Sequence, residues 1–147
     1  MAIQTTYTEN IAAAVAGHIA DMSEATVVSR TVESATLVFG VPVAQGTTDG
    51  DCRLFTDGDT VTQFIGVSVR DRSILEGDSY TESESAAILR DGPIWVVAAV
   101  AVDAGDPVCV TATGTWSNAP GTGGITLPKA RWETSTTTTG KLAKIYL

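Results

Sequence analysis

The chain has 147 residues, enough for one domain that buries roughly two-thirds of the surface its unfolded form exposes, so no disulfide framework is required. Seventeen acidic residues against nine Lys and Arg give a formal net charge of -8, which argues against a nucleic-acid partner, since affinity for phosphate comes from clustered cations. No apolar stretch approaches the length of a membrane span and no basic segment leads into one, so the sequence is expected to be soluble, made in a cytoplasm and without a membrane partner.

Residues 1–24 read as an extended N-terminal arm. Thr5, Thr6, Tyr7, Thr8, Glu9 and Asn10 are polar, Ile11 to Ile19 is a run of mostly small residues broken by Gly17, and Asp21 to Glu24 is polar again. The alanines permit a short helix but supply too little apolar area to anchor one, so the arm is expected to need another surface. Residues 25–147 read as a single β-rich domain, because Val, Thr, Ala and Gly dominate and short strand signals recur between turn residues.

The predicted strands, in order, are Val27 to Thr31, Ala35 to Val41, Cys52 to Phe55, Val61 to Arg70, Ala86 to Arg90, Ile94 to Val100, Pro107 to Thr113 and Leu142 to Leu147. Between them lie Asp-Gly units at Asp49-Gly50, Asp57-Gly58, Asp91-Gly92 and related pairs; Gly takes positive φ without steric penalty and Asp caps the local backbone. Spacing of this kind predicts an all-β body, a barrel or a sandwich. Ile94-Trp95-Val96-Val97-Ala98-Ala99-Val100 is the leading core candidate, expected to be a strand covered on both faces or a central barrel strand. Asn118 to Gly124 and Thr134 to Thr139 are expected to be loops or exposed edges.

The stretch Phe64-Ile65-Gly66-Val67-Ser68-Val69-Arg70-Asp71-Arg72 joins a period of two to an abrupt run of charge. Gly66 in mid-strand marks a bulge, a bend or the close approach of another backbone. Arg70, Asp71 and Arg72 are either a solvated strand end or a contact between subunits, where Arg pairs with carboxylates in a bidentate geometry. Arg131-Trp132-Glu133 divides the same way: a packed Trp with a surface ion pair, or an anchor in a protein interface. Trp116 carries the same ambiguity.

Chemistry is thinly represented. His18 is the single imidazole and lies in the arm, so a Ser-His-Asp site is not expected and His18 reads as meeting solvent or a partner. Asp49, Asp51, Asp57 and Asp59 tempt with four carboxylates in a short stretch, but the calcium-loop pattern is absent and each Asp-Gly-Asp is explained as a turn. Glu82 and Glu84 read as a solvated strand edge, and Gly121-Thr122-Gly123-Gly124 lacks the Lys and helix of a phosphate loop. Cys52 and Cys109 cannot complete a zinc site, and Cys109 between two valines reads as a buried thiol. No metal or cofactor is expected.

Several segments in order resemble the structural cement, or head decoration, proteins of tailed bacteriophages. They are Gly17 to Asp21, Ser29-Arg30-Thr31-Val32-Glu33, Phe39-Gly40-Val41-Pro42-Val43, the stretch from Phe64 to Arg72, Leu89-Arg90-Asp91-Gly92-Pro93-Ile94-Trp95-Val96, Ala104 to Val108, and Ala130-Arg131-Trp132-Glu133. The resemblance implies a β-barrel-like body with an N-terminal arm and no enzyme activity. It implies a homo-oligomer, expected to be a homotrimer, that docks on the outer surface of the virion capsid and bridges subunits of the major capsid protein. Tyr7 and the polar arm then suit a partner-ordered segment, and the candidate contact residues are Tyr7, His18, Arg70, Asp71, Arg72, Arg131, Trp132 and Glu133. The rivals are a phage tail or surface binding module, and a small β-barrel hydrolase that needs a carboxylate pair or a metal.

Overall fold

The computed structural model describes residues 14–147 apart from 22, 34–35 and 75–76, so Tyr7 and the first thirteen residues of the predicted arm lie outside the described residues. Every regular element described is a strand. β1 (Thr26–Val32), β3 (Pro42–Gln45), β4 (Asp51–Leu54), β5 (Phe64–Ser68) and β7 (Ser85–Asp91) close into one barrel in the order β1-β4-β3-β5-β7. β8 (Pro93–Ala98), β9 (Pro107–Val110), β10 (Trp116–Ser117), β11 (Ile125–Trp132) and β12 (Lys141–Tyr146) close a second in the order β10-β8-β12-β11-β9. A short ribbon of β2 (Leu37–Val38) and β6 (Ser79–Tyr80) completes the set. Closure is how such short strands avoid leaving open edges.

Period-two patterning does not survive in β5, where the sequence showed it, because the bulge leaves Gly66, Val67 and Ser68 buried in succession, and β8 needs a revision too. Ile94, Val96 and Ala98 are fully buried, whereas Trp95 is half-buried and Val97 is 43% exposed. The apolar run is therefore a central barrel strand with an outer face, because a small closed barrel has a single interior. The strand predicted from Ala35 to Val41 is corrected as well: it ends at Val38, and Phe39-Gly40 turns the chain with Gly40 at φ +77.

In β5 the bulge and the close approach expected at Gly66 are both present. Val43 faces Gly66 and Ala44 faces Phe64, so Ile65 is the extra residue and the register shifts there. A Cβ on Gly66 would sit 2.1 Å from the Leu89 carbonyl oxygen, so only glycine lets β7 lie this close.

The main apolar cluster does not respect the barrel boundary. Val67 and Leu89 of the first barrel and Phe55 after β4 pack in one cluster with Ile94, Val96, Trp132 and Ile145 of the second. A second cluster, with Val32, Leu37, Tyr80 and Ile88, seals the first barrel beneath the ribbon, where Phe39 and Tyr80 meet edge to face at 5.1 Å.

Candidate functional site

β8 is a long strand beside a two-residue neighbour: β10 pairs with it only at Ala98, leaving residues 93–95 open along that edge. The N-terminal segment fills the gap. Gly17 N–H donates to the Trp95 carbonyl at 2.8 Å, Trp95 N–H to the His18 carbonyl at 2.9 Å, and Ala20 N–H to the Pro93 carbonyl at 2.9 Å, with Ile19 bridging Ile94 antiparallel. The surface this part of the predicted arm requires is thus the edge of its own body, by strand addition.

Arg70 N–H donates to the Gly17 carbonyl at 2.8 Å, which brings His18 to the end of the β5 segment. His18, Arg70, Asp71 and Arg72 therefore form one corner. Burial, then the positive charges of Arg72 and Arg70, push the His18 pKa below its ordinary value, so the ring is neutral at neutral pH. The Arg70 guanidinium lies over the Phe39 ring at 5.0 Å and pairs with Asp78, while its Nε is buried without a hydrogen-bond partner. Asp71 accepts the Ser73 N–H at 2.7 Å, a local turn bond that holds its carboxyl below the usual range. Arg72 is exposed and makes no ion pair among the described residues.

Arg131, Trp132 and Glu133 separate. Trp132 is 1% exposed, and its indole N–H donates to the Ser117 carbonyl at 3.3 Å. Its place among the contact candidates is corrected: alternation along β11 turns it into the core, and only its neighbours reach the surface. Glu133 pairs with Lys144 at 2.8 Å, and Lys144 reaches Asp21 at 3.7 Å, which pins the N-terminal segment to β12. Arg131 is exposed, its Nη1 donating only to the Ala130 carbonyl.

The four early carboxylates do not converge on a site. Asp59 takes the Arg53 guanidinium at 2.7 and 2.5 Å and the Thr56 N–H at 2.8 Å, and the Arg53 bonds chiefly hold its carboxyl below the ordinary range. Asp51 accepts the Thr48 hydroxyl at 2.7 Å. Among the described residues no group of three or more His, Cys, Asp or Glu is arranged to hold a metal ion.

An apolar groove escapes the sequence. Its cavity volume is about 290 Å³, and its walls are Ala16, the Val38 to Val41 turn, the end of β8 from Val97 to Ala99, and Trp116 with its neighbours. Ser68 shapes one wall by donating its hydroxyl to the Val38 carbonyl at 2.7 Å and accepting the Val41 N–H at 3.0 Å. Trp116 joins the walls through its indole N–H, which donates to the Gly40 carbonyl at 2.7 Å. The only sequence signals were the ambiguous Trp116 and an apolar run too rich for a strand with one wet face.

Fold and surface together define the class: an all-β double barrel whose prominent features are exposed cations at two corners and an apolar groove between its halves. The family model for structural cement protein (E217 gp24/Pam3 gp6) matches residues 3–147, and the chain belongs to this family of phage cement proteins. Among solved structures, a chain from the capsid of Myoviridae phage XM1 shares the fold with a TM-score of 0.78 at 18% identity, covering 99% of this chain and 97% of that one. No curated protein matches the chain. The family carries a structural, capsid-stabilising role, in agreement with the resemblance read from the segments between Gly17 and Glu133.

Proposed function

We propose that the protein sits on the outer surface of a phage head and bridges neighbouring subunits of the major capsid protein, without catalysing a reaction. The observation that carries this is the cement-family match across residues 3–147, supported by the fold shared with a chain from a phage capsid. Mechanically the bridge works by multivalency: once one contact is made, the next is intramolecular, so modest contacts become hard to lose together. A homotrimer multiplies that effect. The contacts assigned to the body are Arg72 and Arg131, exposed and free of ion pairs among the described residues, with the His18 corner beside Arg72. Tyr7 and the rest of residues 1–13 supply the reaching contact.

The test is to mix purified protein with matching expanded and unexpanded heads and image both. Ordered density on the outside of expanded heads, lying across subunit boundaries, is the expected result. A protein lacking residues 1–13 is expected to stay folded, because the pairing to β8 begins at Gly17, and to lose most head binding. Absence of density on either head sinks the proposal.

A further inference from the structure

The groove between the barrels adjoins the cationic corner. Ala16 lines it, and the carbonyl of the next residue, Gly17, accepts the Arg70 N–H at 2.8 Å. Phe39 lines it too and carries the Arg70 guanidinium over its ring at 5.0 Å. The walls themselves are apolar and open to water. Val38 and Val97 stand on them 48% and 43% exposed, and covering apolar area gathered at one place is favourable in proportion to the area removed from water.

A backbone donor lies among those walls. Along the edge of β8 opposite β12, Trp95 N–H donates to the His18 carbonyl at 2.9 Å and Ala99 N–H to the Trp116 carbonyl at 2.8 Å. Alternation along the strand sends the N–H of Val97, midway between them, off that same edge. It has no acceptor among the described residues, and Ala16 and Trp116, on either side of it, both line the groove. An open amide beside apolar walls suits an extended polypeptide, which brings a carbonyl for the donor and side chains for the walls. A small molecule fits less well, since about 290 Å³ lies at the bottom of the range of such sites, roughly 300–1,000 Å³, and few polar groups are present to orient one.

The rim sets the charge of the occupant. Arg72 is exposed and makes no ion pair among the described residues, while Asp71 beside it is committed to the Ser73 N–H at 2.7 Å. A carboxylate is therefore the group that complements this end of the groove. We infer that the groove receives an extended segment of the capsid protein, with an apolar side chain against Val38 and Val97, a backbone carbonyl on the Val97 N–H and a neighbouring carboxylate at Arg72. The identity of the partner rests on the cement reading, and continuity with Arg72, already assigned to the capsid, favours it over a second copy. Such a contact gives the bridge an apolar part that salt does not screen.

The experiment uses the full chain and matching expanded heads. Hydrogen–deuterium exchange of free and head-bound protein is read by mass spectrometry at single-amide resolution. The Val97 amide is expected to exchange fast in the free protein and about ten-fold or more slowly on heads, while Ala99, already bonded to Trp116, changes little. The Val38→Ser, Val97→Ser double variant is expected to bind heads about ten-fold more weakly at low and high salt alike. Arg72→Glu should weaken binding chiefly at low salt. Wild-type protein that binds heads with Val97 exchange unchanged overturns the groove contact and leaves the cement reading standing, as does full affinity in the folded serine variant; if that variant fails to fold, the wild-type exchange decides alone. Heads that bind no wild-type protein sink both readings. Val97 protection that appears without heads and grows with protein concentration assigns the groove to a second copy and overturns the inference.

Discussion

Gly66 and Gly58 show how differently two glycines constrain one fold. At Gly66 a methyl would collide with the Leu89 carbonyl at 2.1 Å and with the Ile88 side chain at 2.8 Å, inside the paired strands. Gly58 has φ +86 with nothing within 4 Å of an added Cβ, so only the left-handed backbone resists substitution. Gly66→Ala is therefore expected to cost about 3 kcal/mol or more from overpacking and strain together. Gly58→Ala should cost about 1–2 kcal/mol, the ordinary penalty for a left-handed alanine. Urea midpoints of the two variants decide it; equal losses would show that β5 can shift away from β7. Gly66 was legible in the sequence because a glycine inside clean alternation has few explanations. Trp132 was half legible: a packed Trp beside a surface ion pair was one of its two readings, and the barrel decides for it by turning alternate residues of β11 inward while Glu133 pairs with Lys144.

Between elements, the N-terminal segment is held by three backbone hydrogen bonds to β8, by the Gly17 carbonyl on Arg70 N–H, and by the Lys144 link between Glu133 and Asp21. The side-chain link is exposed and screened, so it tunes the segment rather than the fold. Lys144→Met, which keeps the apolar stem, is expected to leave the unfolding midpoint nearly unchanged. Amide exchange at Gly17, Ala20 and Trp95 should quicken about three-fold. A drop in the midpoint matching the exchange change would mean that the segment opens only with the whole body. β12 was readable because its burial alternates along the strand, and β7 because its apolar residues Ala86 to Leu89 form a short run between polar ends. β11 was hidden: Thr126 pairs with Cys109 and Arg131 with Pro107, so Leu127 to Ala130 bulge out opposite Val108 alone, and Pro128 removes a donor. β3 was missed for being four residues that open on a proline. The edge of β8 that receives residues 17–20 was invisible for another reason: it exists only because β10 is two residues long.

Two closed barrels invite the expectation of two independent folding units, and the core argues otherwise. Leu89, fully buried on β7 of the first barrel, belongs to the cluster that contains Trp132 and Ile145 of the second, so the two barrels share apolar packing even though the first also holds a cluster of its own around Val43, Cys52 and Ile88. Each half carries its own reporter. The three tryptophans, Trp95, Trp116 and Trp132, all sit in the second barrel, while Cys52 is buried in β4 of the first. Burial pushes the Cys52 thiol up to about 11, so it is protonated and shielded until its barrel opens. Leu89→Ala removes buried methyl groups and is expected to cost about 2–5 kcal/mol. Because the cluster is shared, that loss should lower the denaturant midpoint of tryptophan fluorescence and of pulsed Cys52 alkylation, mapped by mass, by the same amount. Coincident midpoints in both proteins establish one cooperative unit. A Cys52 transition that moves while the fluorescence transition stays would divide the molecule into two separately stable barrels.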